Sequence, residues 1–493
     1  MEKLKGNRLK AVVGTAFIVV LLFGMLIGTI YSVNVGDVTE VWIRPPIHDA
    51  QYIVGVYNST YFYMKNGTTG NYDYRGTNAT TTINFALANL TTGRLWKEKV
   101  LIIGNLSNLE QIQIPSYAIL KLQGILKVKD AFNNDFIINS ALSNPDTEIE
   151  IEGGIIDGNR AGQTSGMDTI LFTNVINSTI HDTEVRGGKR ITSGVRGETI
   201  CLQSCTGVVV RHVTAMDSSY DLIKTRDSTL CRIENCFLYN RSLDFIGGNH
   251  VQLDGTTSGT NLSIVSGCTM YSPTGSSNGG VAICHAGSFG NLITGNIVYG
   301  GNCGYRINGV SGGCMDNEIS NNVAYSCYYG ITLEGGASTG DGQFRTLIAN
   351  NKLINCTYGI YCDHSYNTTI IENMISGGTS AGIRLYSSDC INTTIMGNTI
   401  LDKSTIITNA GTSTIIKYNI GYTTENSGVS ANATATTFSI THGLAGTPTG
   451  VWCSFNTTAV TAWTWTATAS TITVTMVGPT NNVTCYWNAV YVP

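Results

Sequence analysis

Charge is scarce in this chain. Asp, Glu, Lys and Arg together make up 13% of its 493 residues, about half the usual share. With 29 basic against 33 acidic side chains and a net charge of -4, nothing favours a nucleic-acid partner electrostatically. No Cys-x-x-Cys pair and no clustered histidine spacing is present, so the fourteen cysteines do not read as zinc ligands, and no metal site is expected. Apolar residues alternate only over stretches of 3 to 5, bounded by Gly, Asn and Ser, which reads as short strands rather than helices.

What the chain has instead is a repeat. Asn followed by an apolar residue recurs at Asn235, Asn296, Asn322, Asn351, Asn373, Asn398 and Asn419, mostly 21 to 29 positions apart, with Gly267 holding the slot in one unit. Asn322-Val-Ala-Tyr-Ser-Cys-Tyr-Tyr-Gly-Ile-Thr-Leu-Glu334 lies naturally over Asn351-Lys-Leu-Ile-Asn-Cys-Thr-Tyr-Gly-Ile-Tyr-Cys-Asp363. A period of this length signals a solenoid, here an all-β right-handed parallel β-helix, in which one coil cannot bury its inner face and only a stack is stable. A buried Asn at a coil corner can hydrogen-bond its counterpart in the next coil and the turned backbone at once, which explains a polar residue recurring in an apolar pattern.

Several features place the body outside a cell. Fourteen Asn-X-Ser/Thr sequons, among them Asn58, Asn66, Asn78, Asn89, Asn105, Asn177, Asn240, Asn261, Asn367, Asn392 and Asn456, favour a glycosylated exterior. Lys3, Lys5, Arg8 and Lys10 precede an apolar run over 11–33, long enough to span a bilayer with the basic end inside. A single-pass membrane anchor is expected, a cleaved signal peptide being the rival reading, with secretion or a virion surface as the alternative location. Cys314 and Cys390, and likewise Cys327 and Cys356, occupy equivalent places in different units, either as small apolar ladder residues or, outside the cell, as disulfides between coils about 4.8 Å apart. Cys453 and Cys485 are the best single disulfide candidate.

Four regions follow: a membrane anchor over 1–33, a β-rich stalk and capping helix over 34–95, the β-helix over 96–425, and a small β-sandwich over 430–493. Thr80-Thr-Thr-Ile-Asn-Phe-Ala-Leu-Ala-Asn-Leu90 has apolar residues at helical spacing and would cover the open end of the solenoid. The order Lys65-Asn-Gly-Thr-Thr-Gly, Gly76-Thr-Asn-Ala-Thr-Thr-Thr-Ile-Asn, Ile114-Pro-Ser-Tyr-Ala-Ile-Leu-Lys-Leu and Gly154-Ile-Ile-Asp-Gly-Asn-Arg resembles pectate-lyase-like proteins of the pectin-lyase fold, including viral tailspikes and archaeal surface proteins, over about residues 50–420. That superfamily holds lyases, hydrolases, epimerases and inert adhesins. Phe438-Ser-Ile-Thr-His-Gly-Leu-Ala-Gly-Thr-Pro-Thr and Cys485-Tyr-Trp-Asn-Ala are similar to small β modules that end phage tail proteins. The tailspike resemblance implies a homotrimer joined through this module.

In a strand that buries Ile331 and Leu333, Thr332 and Glu334 face out. The same register sends out Arg306 and Asn308, Tyr361 and Asp363, and Arg384 and Tyr386, a compact patch in a chain otherwise short of charge. Glu334 and Asp363, one coil apart, are the candidate catalytic carboxylates. Arg306 and Arg384 could bind an acidic sugar, and Tyr361 and Tyr386 could stack on its ring. The bland alternative is a solvated ladder in which each Arg neutralises a neighbouring carboxylate.

A second candidate set is Asp221, Lys224, Arg226, Asp244, His250 and Asp254, with His285 further on. Lyases of the resembled fold pair calcium-binding carboxylates with an Arg or Lys base, so calcium enters only with that activity and no other cofactor is required. The paired Asp and Gly-His-Gly pattern of polygalacturonase-type hydrolases is missing. The expected function is binding of polysaccharide or cell-envelope glycan. The alternatives are a lyase or glycoside hydrolase acting on a uronate polymer, or a structural spike without catalysis.

Overall fold

The computed structural model describes residues 29–30, 43–44, 49–191, 196–240, 248–272, 279–284, 287–310, 312–336, 341–432, 436–478 and 483–493. Most of them wind into a parallel β-helix, as the alternation of Ile and Val with polar residues requires. Three long sheets run its length, two of 12 strands and one of 16. Columns of apolar side chains fill the interior: Ile170, Ile200, Ile223, Val251, Val281, Tyr305, Ile331, Ile360 and Ile383 stack in successive coils, none more than 1% exposed. Each such side chain contributes about 1.5–3 kcal/mol by leaving water.

Corners are made by residues in the left-handed conformation, chiefly Asn, Asp and Gly, where a short polar side chain or no side chain tolerates positive φ. One corner carries the asparagine ladder. The side-chain oxygens of Asn322, Asn351, Asn373, Asn398 and Asn419 each accept the backbone N–H of the ladder residue one coil earlier, at 2.9–3.0 Å. Their amide nitrogens donate to core-strand carbonyls such as Ile293, Ile319 and Ile348. Asn235 and Gly267 do not belong to this ladder. They are the positive-φ corner residues one place earlier, and Cys236 and Cys268 fill the slot, with Cys268 N–H donating to Asn296 Oδ1 at 2.9 Å.

Helix Ala79–Ala88 closes the first coil, capped by the Asn78 side chain, which accepts the N–H of Thr81 at 2.9 Å. Ile83, Ala86 and Leu87 join the solenoid core. Strands Tyr52–Val56, Phe62–Asn66 and Tyr72–Gly76, expected as a stalk, instead continue the 16-stranded sheet beyond Glu98–Ile103. The last 60 or so residues form two three-stranded antiparallel sheets packed around Phe438, Ile440, Ile472, Val474 and Trp487. This sandwich sits on the final coil, where the ring of Tyr422, packed against the solenoid core, lies 6.4 Å from that of Tyr491.

The cysteine, sequon and membrane-anchor expectations fare differently. Cys453 and Cys485 stand diagonally across paired strands, with their side chains in hydrogen-bond contact as unbonded thiols. The other cysteines are free and buried as well, as apolar ladder residues would be. Asn240 is 1% exposed and donates to Ser218 O, so this sequon is not available to a glycan in the folded chain. By contrast Asn58, Asn78, Asn89, Asn105, Asn177, Asn367, Asn392 and Asn456 are exposed, and Asn66 and Asn261 half-buried. The apolar run 11–33 lies outside the described residues except Thr29–Ile30, which pair as a strand with Ile43–Arg44 rather than continuing a helix. Among the described residues no helix is long and apolar enough to cross a membrane.

Candidate functional site

The downstream candidates, and Lys224, Arg226 and Asp254 of the second set, fall on the outer face of one 12-stranded sheet, the one containing strands Ile170–Thr173, Ile200–Gln203, Ile223–Arg226, Asn249–Asp254, Cys303–Asn308, Tyr329–Glu334, Tyr358–Cys362 and Ala381–Leu385. Residue pairing resolves this face into columns. One contains Cys201, Lys224, Gln252, Ala282, Arg306, Thr332, Tyr361 and Arg384. A second contains Gln203, Arg226, Asp254, Cys284, Asn308 and Glu334, with Asp363 in the next coil, where its N–H bonds Leu333 O at 2.9 Å.

A third column, two places before the inward Ile, holds four acids in successive coils: Asp135, Asp168, Glu198 and Asp221. None is more than 3% exposed. Asp168, Glu198 and Asp135 were not anticipated. The signal was present in Asp135-Phe-Ile, Asp168-Thr-Ile, Glu198-Thr-Ile and Asp221-Leu-Ile, an acid recurring at one offset from the first buried Ile. These upstream coils lack the asparagine punctuation that fixed the register downstream.

Lys224 holds this acidic cluster together. Its ammonium lies 2.9 Å from Asp254, 3.6 Å from Asp221 and 3.7 Å from Glu198. The Tyr220 ring lies 5.3 Å from that ammonium, and the Arg190 guanidinium packs 3.9 Å from the same ring. Asp168 accepts the backbone N–H groups of Gly197 and Glu198 at 2.8 and 3.0 Å, and Asp221 accepts that of Asn249 at 2.7 Å. Neither carboxyl oxygen of Glu198, a fully buried residue, has a hydrogen-bond partner.

Electrostatics follow from this crowding. Burial first, and then the neighbouring Asp168, push the Glu198 carboxyl well above the usual carboxylate range. Burial likewise raises Asp221 to about 6 against the pull of Lys224, and raises Asp135 to about 6 with Asp168 adding to it. Burial alone would lower Lys224; Asp221, Asp254 and Glu198 more than reverse it, so the amine stays charged and is no base. A calcium ion among these carboxylates would meet that ammonium as a like charge, so the donor set does not fit one.

His250 does not belong to the site. It occupies the inward position before Val251, fully buried, with its ring nitrogens 2.9 Å from Gly279 O and 3.0 Å from Tyr271 O, and burial lowers its pKa. Asp244 and His285 lie outside the described residues.

Downstream the same face is open. Arg306 is bound to Glu334 as an ion pair. Asp363 accepts from Ser387 Oγ at 2.8 Å, and its carboxylate is 2.9 Å from the His364 ring. Glu334 and Asp363 thus share a face, but each is already engaged by its own partner. Arg384 differs: among the described residues it pairs with no carboxylate. It donates to Tyr358 OH at 3.2 Å, keeps its buried Nε without a partner, and has rings of Tyr386, Tyr358 and Tyr361 4.9–5.9 Å away. Tyr329, Tyr358, Tyr361 and Tyr386 form a connected aromatic surface with ring centroids 5.1–5.7 Å apart.

Elsewhere, among the described residues, Glu150, Glu152 and His181 alone gather three potential metal-ligand atoms within 4.8 Å of one another. Lys97 and Lys121 already neutralise the two carboxylates, at 2.8 and 3.2 Å.

Comparison with known proteins agrees with this architecture. Residues 244–443, less than half of the chain, match the family described as periplasmic copper-binding protein (NosD). No curated protein matches. Among solved structures, the Dettilon tailspike protein is similar at 14% identity and a TM-score of 0.53, over 84% of this chain and 92% of that one. The A-module of an Azotobacter vinelandii mannuronan C-5 epimerase gives 14% identity and 0.51 over 70% and 95%. The tailspike of E. coli bacteriophage HK620, solved with a pentasaccharide, gives 12% and 0.51 over 84% and 89%. At such identities the likeness defines the class of protein, a right-handed parallel β-helix of tailspike and epimerase type, and the fold alone.

Proposed function

We propose that this protein binds an acidic polysaccharide of a cell or virion surface along the outer face of this sheet, with the sugar carboxylate on Arg384 and the pyranose ring against Tyr361 and Tyr386. The observation that carries the reading is a guanidinium that, among the described residues, has no carboxylate partner and is set in a tyrosine surface. Arg306 cannot serve equally, because Glu334 occupies it. The pentasaccharide in one structural neighbour and the polyuronate named for another support a saccharide as ligand. Oligogalacturonate and oligomannuronate titrated by calorimetry are expected to bind, with a loss of at least tenfold in Arg384→Ala; equal binding by the variant rejects the site.

A second reading, processing of that polymer, is favoured by Glu198. A buried carboxyl whose hold on its proton is strengthened by burial and by Asp168, one coil from Lys224, is the group on this face best suited to act as a general acid. Uronate polymers incubated with the protein and followed for new unsaturated ends, reducing ends and altered C5 configuration test it: turnover abolished in Glu198→Gln supports processing, and no turnover of any kind leaves binding alone. In either case the reading keeps the body outside the membrane, on an anchor over 11–33, and as a trimer through the C-terminal module. Surface biotinylation of whole cells and light scattering of the ectodomain check these two points.

A further inference from the structure

A second, chemically different surface lies around the corner from Arg384. On the neighbouring 12-stranded sheet, strands Phe237–Tyr239, Thr269–Tyr271, Ile297–Tyr299 and Val323–Tyr325 each end in tyrosine, and pairing places Tyr239, Tyr271, Tyr299 and Tyr325 in one outward column. The column is visible in the repeat itself, in Phe237-Leu-Tyr, Thr269-Met-Tyr, Ile297-Val-Tyr and Val323-Ala-Tyr. The rings of Tyr299 and Tyr325 stack face to face, 5.0 Å apart and within 7° of parallel. Stacked in this way, the tyrosines turn their edges and hydroxyls, not their faces, toward solvent.

The rings of Tyr271, Tyr299 and Tyr325 line a groove of about 510 Å³ together with Gly300, Gly301 and Tyr328. Gly300 and Gly301 both have positive φ, so this part of the lining is bare backbone where a side chain would be strained. Tyr271, Tyr299 and Tyr328 remain 51%, 40% and 47% exposed, an unusual cost for a soluble surface to carry in adjacent coils. Among the described residues no lining side chain is charged, and the Lys403 ammonium beside the groove is taken up by the carbonyls of Cys356 and Thr357.

We infer that this groove is a second saccharide-binding site and that it takes a neutral glycan lying along the solenoid axis. Three arguments select that occupant. One coil step, about 4.8 Å, is close to the length of one extended pyranose residue, so phenol hydroxyls one coil apart can each reach one unit of a chain laid along the axis. The electropositive ring edges and hydroxyls of a tyrosine stack suit a ligand rich in hydroxyl oxygens, whereas the uncharged lining leaves the carboxylate of a uronate without a counter-charge. The groove is also continuous with the Arg384 surface: Tyr328 in its lining packs edge-on against Tyr329 and Tyr358, at 4.7 and 5.7 Å. A heteropolymer with neutral and acidic stretches could therefore engage both, yet the groove stands on its own residues and does not depend on the Arg384 reading.

Cellohexaose and mannohexaose are the probes, titrated into the protein and followed by calorimetry and tyrosine fluorescence. At least one is expected to bind, and Tyr299→Ala and Tyr271→Ala, both at exposed positions, each weaken it tenfold or more. Tyr299→Phe separates the hydroxyl from the ring and is expected to lose a smaller part. Retained oligogalacturonate binding in Tyr299→Ala places the neutral site apart from the charged one. Absence of binding by either neutral probe overturns the inference, as does binding indifferent to both alanine variants. A change in molar mass of Tyr299→Ala by light scattering also overturns it, since the groove is then a subunit contact.

Discussion

The outer face of a single sheet divides into two halves that share backbone, register and columns but not chemistry. In one column of this face Lys224 is 3% exposed, beneath Tyr220 and surrounded by carboxylates; five and six coils on, Tyr361 and Arg384 lie in a half-open aromatic surface. The upstream half gathers more acids than bases out of water, an arrangement that lowers stability unless protons or a function compensate for it. The downstream half leaves a cation and several rings free to meet a ligand. A β-helix can thus carry proton chemistry and recognition on one surface simply by changing what covers successive rungs.

The comparison is broken most directly by removing Lys224. Lys224→Met is expected to cost about 3–5 kcal/mol of unfolding free energy near pH 8, because Asp221, Asp254 and Glu198 lose their shared counter-charge. The cost shrinks as pH falls through about 6, where Asp221 takes up its proton. Denaturant melts on either side of that value check it, and a loss no larger than that of Arg384→Met at either pH would show that the two halves do not differ.

Acid titration sharpens the contrast next. Asp135 and Asp221 bind protons more tightly folded, near 6, than unfolded, near the ordinary value of about 4. Their contribution to stability is therefore complete below about pH 4 and is lost as pH rises through about 6, on the order of 1–3 kcal/mol per group. Asp221→Asn should flatten that part of the pH–stability curve, whereas changes in the downstream half should leave its shape alone.

Asn351→Ala tests the scaffold common to both halves. Removing its amide leaves the Asn322 N–H and the Ile319 carbonyl without partners in the core, for an expected loss of about 1–3 kcal/mol that is insensitive to pH. The smallest effect on stability belongs to Tyr386→Ala. At 51% exposure it should shift unfolding by no more than about 0.5 kcal/mol while weakening uronate binding, a separation that a stability-coupled site would not show.

The two halves were also unequally legible. Downstream, Asn322, Asn351, Asn373 and Asn398 punctuate every coil, so the sequence alone placed Arg306, Glu334, Tyr361, Asp363, Arg384 and Tyr386 on one face. Upstream, the ladder slot holds Val213, Cys236 and Cys268, and an alignment anchored on Asn235 slips by one residue. Strict alternation sends His250 outward with Gln252 and Asp254, but its position, like that of Leu222 one coil earlier, turns into the core. Burial of Lys224 was not readable either, since Tyr220 and Arg190 reach it from connecting segments that obey no period. The ion pair between Arg306 and Glu334 sits on the ladder register, but only side-chain geometry shows that it consumes one arginine and leaves the other free.

A crystal structure of the protein with a bound oligogalacturonate or oligomannuronate tests the central claim most directly. The account predicts a sugar carboxylate hydrogen-bonded to the Arg384 guanidinium, with its ring against Tyr361 or Tyr386. A uronate seated only on another sheet, with Arg384 still bonded to Tyr358 alone, would contradict it.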